Sequence, residues 1–154
     1  MNACSREVQT IRIVLLALTL LITSCKPSGP ASTETNSAGF ATLAERTNFL
    51  QQYVTFKRSY ESLDFHIAFH NNSGGMVPGP SDWDVRLIAK VPAAELQSWV
   101  PAGANISKAP DTSWLQSVPT TLNLSGVTEW YTDDSRMVGL DRANQIVVYR
   151  ASSK

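Results

Sequence analysis

Cysteine is scarce in this sequence, and neither sign of charge is in excess. The 154 residues include two cysteines, and 13 lysine and arginine residues balance 13 aspartate and glutamate residues. A chain without a basic excess lacks the electrostatic footprint of a nucleic-acid-binding protein, so we expect no nucleic-acid partner. No segment of about 20–50 residues is repeated, which excludes solenoids and propellers. The length is that of one compact domain.

Long apolar runs are also missing, except for one near the N-terminus. Arg6 and Arg12 precede a ten-residue apolar run, Ile13–Ile22. A membrane-spanning helix needs roughly 20 apolar residues, whereas the apolar part of an export signal has about 7–15. The pattern therefore predicts an export signal. A buried helix of the fold is the alternative, and it is disfavoured because the run has no polar face.

The predicted export signal ends in a cysteine instead of the usual small residues. The segment Ile22–Ser24 precedes Cys25, and this arrangement resembles the lipobox of bacterial lipoproteins. In that family a signal peptidase cuts before the cysteine, diacylglycerol is attached to the thiol, and a fatty acid such as palmitate usually acylates the new amino group. The resemblance implies that residues 1–24 are removed and that Cys25 anchors the protein to a membrane.

The residue after the predicted anchor indicates whether a lipoprotein stays in the inner membrane or is moved to the outer membrane. An aspartate at that position retains lipoproteins of enteric-type bacteria in the inner membrane, and this chain has Lys26 instead. The resemblance therefore implies an outer-membrane lipoprotein that faces the periplasm. The inner membrane and the cell surface stay open as alternatives.

The remaining chain divides into a tether and a domain. Residues 25–39 contain the anchor and no large apolar side chain, which is typical of a flexible linker. For residues 40–154 we expect a single α+β domain: one antiparallel sheet of about four or five strands with two or three helices packed on it. The predicted strands cover residues 63–69, 83–91, 127–131, 136–140 and 145–150, and the predicted helices begin near Thr42, Pro92 and Asp111. Residues 146–149 are apolar on both faces, which predicts a central strand.

The connection between the first two predicted strands is unusually long. Residues 71–82 make twelve residues, where hairpin loops usually have about 2–5. Long loops often carry function. We therefore predict a binding surface from residues at this loop and from an aromatic pair: Asn72, Ser81, Asp82, Trp83, Trp130 and Tyr131. Trp130 and Tyr131 are neighbours on a strand, so their side chains point to opposite faces.

A weaker alternative site lies on the polar face of the first predicted strand, which carries Asp64, His66 and His70. Asp64 and His66 could, with Ser81, be imagined as a hydrolase triad, but no G-x-S-x-G turn presents a serine. The two histidines are four residues apart, about 13 Å along a strand, which is too far for one metal ion. Phosphate-binding and dinucleotide motifs are absent as well, so we expect no metal and no cofactor.

These observations favour a membrane-anchored, non-enzymatic module that binds another periplasmic or envelope protein. Immunity and inhibitor lipoproteins share this format of a small domain on a lipid anchor, although format alone does not establish function. Two alternatives stay open. One is a small hydrolase acting on a cell-wall or lipid substrate, and the other is a structural component of an envelope complex.

Replacing Cys25 with alanine tests the anchor. The variant should accumulate as an uncleaved precursor and should not incorporate a fatty-acid analogue, because the acylated thiol is gone. Cys4→Ala is the matched control and should be processed and labelled like the wild type, since Cys4 lies in the predicted signal. Normal labelling of Cys25→Ala would contradict the lipobox interpretation.

Overall fold

Alternation of apolar and polar residues produces one antiparallel sheet in the structure, a computed structural model that describes residues 32–71, 81–108 and 110–153. Its strands are β1 (Ser32–Asn36), β2 (Ser62–His70), β3 (Asp82–Lys90), β4 (Asn105–Ile106), β5 (Glu129–Thr132), β6 (Arg136–Asp141) and β7 (Ile146–Ser152). They are ordered β1-β2-β3-β7-β6-β5-β4. The α-helix α1 spans Leu43–Leu50, and three 3-10 helices span Ser37–Gly39, Ala93–Trp99 and Ser113–Ser117.

Helix α1 begins at a capping box, and residues 42–45, Thr-Leu-Ala-Glu, carry the sequence pattern that predicts it. The Thr42 hydroxyl accepts a hydrogen bond from the Glu45 amide at 3.2 Å, and the Glu45 carboxylate accepts one from the Thr42 amide at 3.0 Å. The two bonds satisfy amides that the first turn leaves without partners. The helix lays Phe49 and Leu50 against one face of the sheet.

Both faces of the sheet are covered, and β7 contributes to both. Val147 and Tyr149 belong to the core under α1, while Ile146 and Val148 belong to a second core on the opposite face. The second core also contains Ile88, Trp114, Val118 and Trp130. Strand β7 lies fourth of seven in the sheet. The prediction of a central strand at residues 146–149 is therefore confirmed.

The α+β class with one antiparallel sheet is confirmed, but the expected number of strands is wrong. The described residues form seven strands, because β1 and β4 join those that were predicted. Strand β1 lies within the segment assigned to the tether, and the short helix Ser37–Gly39 follows it there. Neither β1 nor β4 carries an alternating apolar face. Each is held mainly by backbone pairing at an edge of the sheet, which hydrophobic periodicity does not reveal.

The helices predicted near Pro92 and Asp111 form as short 3-10 helices, Ala93–Trp99 and Ser113–Ser117. Such turns are common as connectors. None of the helices in the described ranges combines the length and apolar character that a membrane crossing requires. The predicted signal and Cys25 lie outside the described residues.

Packing around Gly139 gives a test of the second core. A Cβ atom on this residue would lie 2.6 Å from Val148, 2.7 Å from Val127 and 2.8 Å from Trp130. Gly139→Ala should therefore lower the free energy of unfolding by about 1–3 kcal/mol through overpacking. Urea denaturation of the chain from Lys26 onward would measure the change.

Gly39→Ala is the matched control, since no atom lies within 4 Å of its added Cβ. Its effect should stay within about 0.5 kcal/mol. Equal effects of the two substitutions would contradict the packing described for Gly139.

Candidate functional site

Four strand ends form a groove at one end of the sheet. Register pairs Ser32 of β1 with His70 of β2, His70 with Asp82 of β3, and Asp84 with Ser152 of β7. The groove has a volume of about 450 Å³. Its lining is Ser32, Thr33, Glu34, Ala68, Phe69, His70, Asp82, Trp83, Asp84, Arg150, Ser152 and Ser153. The groove therefore combines carboxylates, a histidine and an arginine.

Asp84 organises the charges on the β7 side of the groove. Its Oδ2 atom accepts hydrogen bonds from Arg86 at 2.7 Å and from Arg150 at 2.9 Å, and its Oδ1 accepts a second bond from Arg150 at 3.2 Å. Arg86 also donates to the Ser117 hydroxyl at 2.8 Å. Burial opposes ionisation of Asp84, but the two arginines outweigh it and lower the pKa of this carboxyl below its usual value.

The two histidines lie on the β1 side. The Ser32 hydroxyl is hydrogen-bonded to His70 Nδ1, and both side chains are exposed. His66 is 15% exposed, and its Nε2 lies 3.7 Å from a carboxylate oxygen of Glu34. His66 Nδ1 is buried without a hydrogen-bond partner. Across the part of the chain that the structure describes, no three histidine, cysteine or acidic residues cluster so as to hold a metal ion.

The structure does not assemble the triad considered for Asp64, His66 and Ser81. The Asp64 carboxylate accepts hydrogen bonds from Arg46 at 2.6 Å and from the Ser37 hydroxyl at 3.3 Å, so it fastens α1 to the sheet. Ser81 directly precedes Asp82, which pairs with His70. Asp64 lies six residues back along β2 from that point, a distance of about 20 Å.

The structure divides the predicted binding surface. Asp82 and Trp83 line the groove, and Ser81 adjoins them, whereas Asn72 lies outside the described residues. Trp130 and Tyr131 belong to β5, which β7 and β6 separate from β3.

The aromatic pair points to opposite faces, as predicted. Trp130 is buried in the second core, and Tyr131 packs against the core under α1 while its hydroxyl donates to Glu129 at 3.1 Å. The pair therefore serves packing, away from the groove.

Trp83, which the sequence analysis assigns to the binding surface, is 39% exposed. It lies two residues before Val85, which is buried on the same side of the strand. Its backbone pairs with Ser153, with the Trp83 amide donating to the serine hydroxyl at 2.8 Å and the Ser153 amide donating to the Trp83 carbonyl at 2.9 Å.

Several residues of the groove escape sequence reasoning. Ser32 and Glu34 fall in the segment read as a tether. The alternation along β3 places Asp84 and Arg86 on one face, but Arg150 is 66 positions from Asp84 and joins it only through the register of β3 and β7.

Asp84→Asn should lower the free energy of unfolding at pH 7 by about 1–3 kcal/mol, because it leaves two arginines without their shared carboxylate. The lowered pKa of Asp84 means that the wild type keeps this contribution above the unfolded-state value and loses it as pH falls through the folded-state value. The difference between the two proteins should therefore shrink below about pH 4. Urea denaturation across pH would measure it.

Glu61→Gln is the control, since the Glu61–Lys90 pair at 3.2 Å is solvent-exposed. Its effect should not exceed about 1 kcal/mol. A difference for Asp84→Asn that stays constant down to low pH would contradict the assigned network.

No family model, no curated protein and no solved structure matches this chain. The interpretation of the groove therefore rests on its own geometry and chemistry.

Proposed function

We propose that this protein is an exported bacterial lipoprotein held by Cys25 at the periplasmic face of the outer membrane. Its domain is a non-catalytic module that binds another envelope protein through the groove. The anchoring part of the proposal is supported by the charged start, the apolar run and the lipobox-like segment before Cys25. Two or three acyl chains would hold the protein far more firmly than one chain, which gives only marginal binding.

The proposal that the groove binds a protein is supported mainly by its charged side chains, which carry both signs and are held in place by pairing with each other. Asp84 and Arg150 are held by each other, and the exposed side chain of Glu34 lines the same groove. Charged groups already fixed by pairing lose little freedom when a partner docks, which lowers the cost of association. Arginine is also among the side chains most enriched where protein partners bind tightly.

A small hydrolase is the second candidate, and one contact favours it. The hydrogen bond between the Ser32 hydroxyl and His70 Nδ1 places a nucleophile next to a base. However, both side chains are exposed to water, whereas catalytic stabilisation of charge depends on a site that excludes water. The binding function is therefore the better supported of the two.

Photo-crosslinking in living cells tests the binding proposal. A photoreactive amino acid at position 34, where the Glu34 side chain is 74% exposed at the groove, should give a discrete adduct with an envelope protein. The same amino acid at Ala143, an exposed turn residue at the other end of the sheet, is the control and should not. Absence of an adduct at position 34, or the same adduct from both positions, would contradict binding at the groove.

A fluorophosphonate probe separates the two candidates, because it reacts with activated serine hydroxyls. The binding proposal predicts no labelling of Ser32. Labelling that disappears in Ser32→Ala would favour the hydrolase instead.

A further inference from the structure

Strand β1 brings the domain close to the proposed lipid anchor. Six residues separate Cys25 from Ser32, the first residue of β1. Even fully extended, this stretch of chain spans at most about 25 Å. The end of the sheet that carries Ser32 therefore cannot move farther than that from the lipid-modified residue.

The opposite end of the sheet lies one strand length away from Ser32. Strand β2 has nine residues, which corresponds to roughly 26 Å from its first to its last residue. Ser32 pairs with the last of these, His70, whereas the first, Ser62, pairs with Lys90 near the turn that contains Ala143. The end that bears the groove is thus the end closest along the chain to Cys25.

One exposed tryptophan lies at this same end. Trp83 pairs with Phe69 across β2 and β3, and strand alternation points it to the face opposite Asp82 and Asp84. It is 39% exposed, whereas Trp99, Trp114 and Trp130 are 4%, 4% and 8% exposed. Tryptophan is the side chain that concentrates at the boundary between lipid and water, because its ring is apolar and its N–H is polar.

We propose that the end of the domain bearing Ser32 faces the bilayer and that Trp83 rests in the phospholipid headgroup layer. This inference rests on the proposed anchoring at Cys25. Two independent observations converge on it: the short chain between Cys25 and β1, and the exposed ring at the strand ends that this chain can reach. A partner that enters the groove on the other face would then meet the domain at the membrane surface.

Fluorescence quenching by brominated lipids tests this orientation on the full-length protein, isolated with its lipid from a bacterial envelope. The protein is reconstituted into vesicles of phosphatidylethanolamine and phosphatidylglycerol. The lipids either lack bromine or carry it on the part of the acyl chain nearest to the headgroup. The fluorescence of Trp83 is obtained as the difference in fluorescence between the wild type and Trp83→Phe. Brominated vesicles should quench most of this difference. The double variant Trp83→Phe/Ala143→Trp moves the exposed ring to the far turn, and its added fluorescence should persist.

The possible results distinguish a failure of the proposed orientation from a failure of the proposed lipid anchor. If the protein sediments with vesicles but Trp83 is not quenched, or if the ring at position 143 is quenched equally, the orientation is wrong and the anchor stands. If the isolated protein carries no lipid and does not sediment with vesicles, the proposed anchor fails and the orientation fails with it. Vesicles contain no other protein, so quenching of Trp83 alone assigns the contact to lipid.

Discussion

Strand β7 is the element on which the rest of the sheet depends. It pairs with β3 on one side and β6 on the other, and so joins the half that contains β1 and β2 to the half that contains β4 and β5. It can occupy this position because its alternating side chains are apolar on both faces: Val147 and Tyr149 enter one core, and Ile146 and Val148 enter the other. Burial of this kind, at about 25 cal/mol per Å² of apolar surface, is the main stabilising term of such a fold.

The groove arises where the apolar character of β7 ends. After Tyr149 the strand continues with Arg150, which no apolar core could accept without a partner. Asp84 on β3 supplies that partner and also holds Arg86. The face that is apolar around Val148 thus becomes polar toward Ser152, and its charges are fixed by each other. A fold that needs a central strand buried on both faces can therefore still present a preorganised polar surface at that strand's end.

The features that could be predicted from the sequence are those that depend on residues close together along the chain. The capping box at Thr42 and the two-faced apolar run at residues 146–149 each depend on a few neighbouring residues. Strand β1 was missed because Ser32–Asn36 has no apolar alternation and gains its order from backbone pairing with β2. The network of Asp84 and Arg150 was missed because only strand register brings them together. Trp83, which the sequence analysis assigns to the binding surface, is exposed because the alternation that buries Val85 continues to the exposed end of the strand.

Inclusion of β1 in the sheet leaves six residues between the domain and Cys25, the proposed site of lipid attachment. The proposed position of the domain at a membrane depends on lipid modification of Cys25. The intact mass of the protein purified from the envelope tests this most directly. Lipid modification predicts the mass of a chain that begins at Cys25 and carries diacylglycerol, with or without a further acyl chain on the amino group. A mass that includes residues 1–24, or that corresponds to an unmodified Cys25, would contradict it.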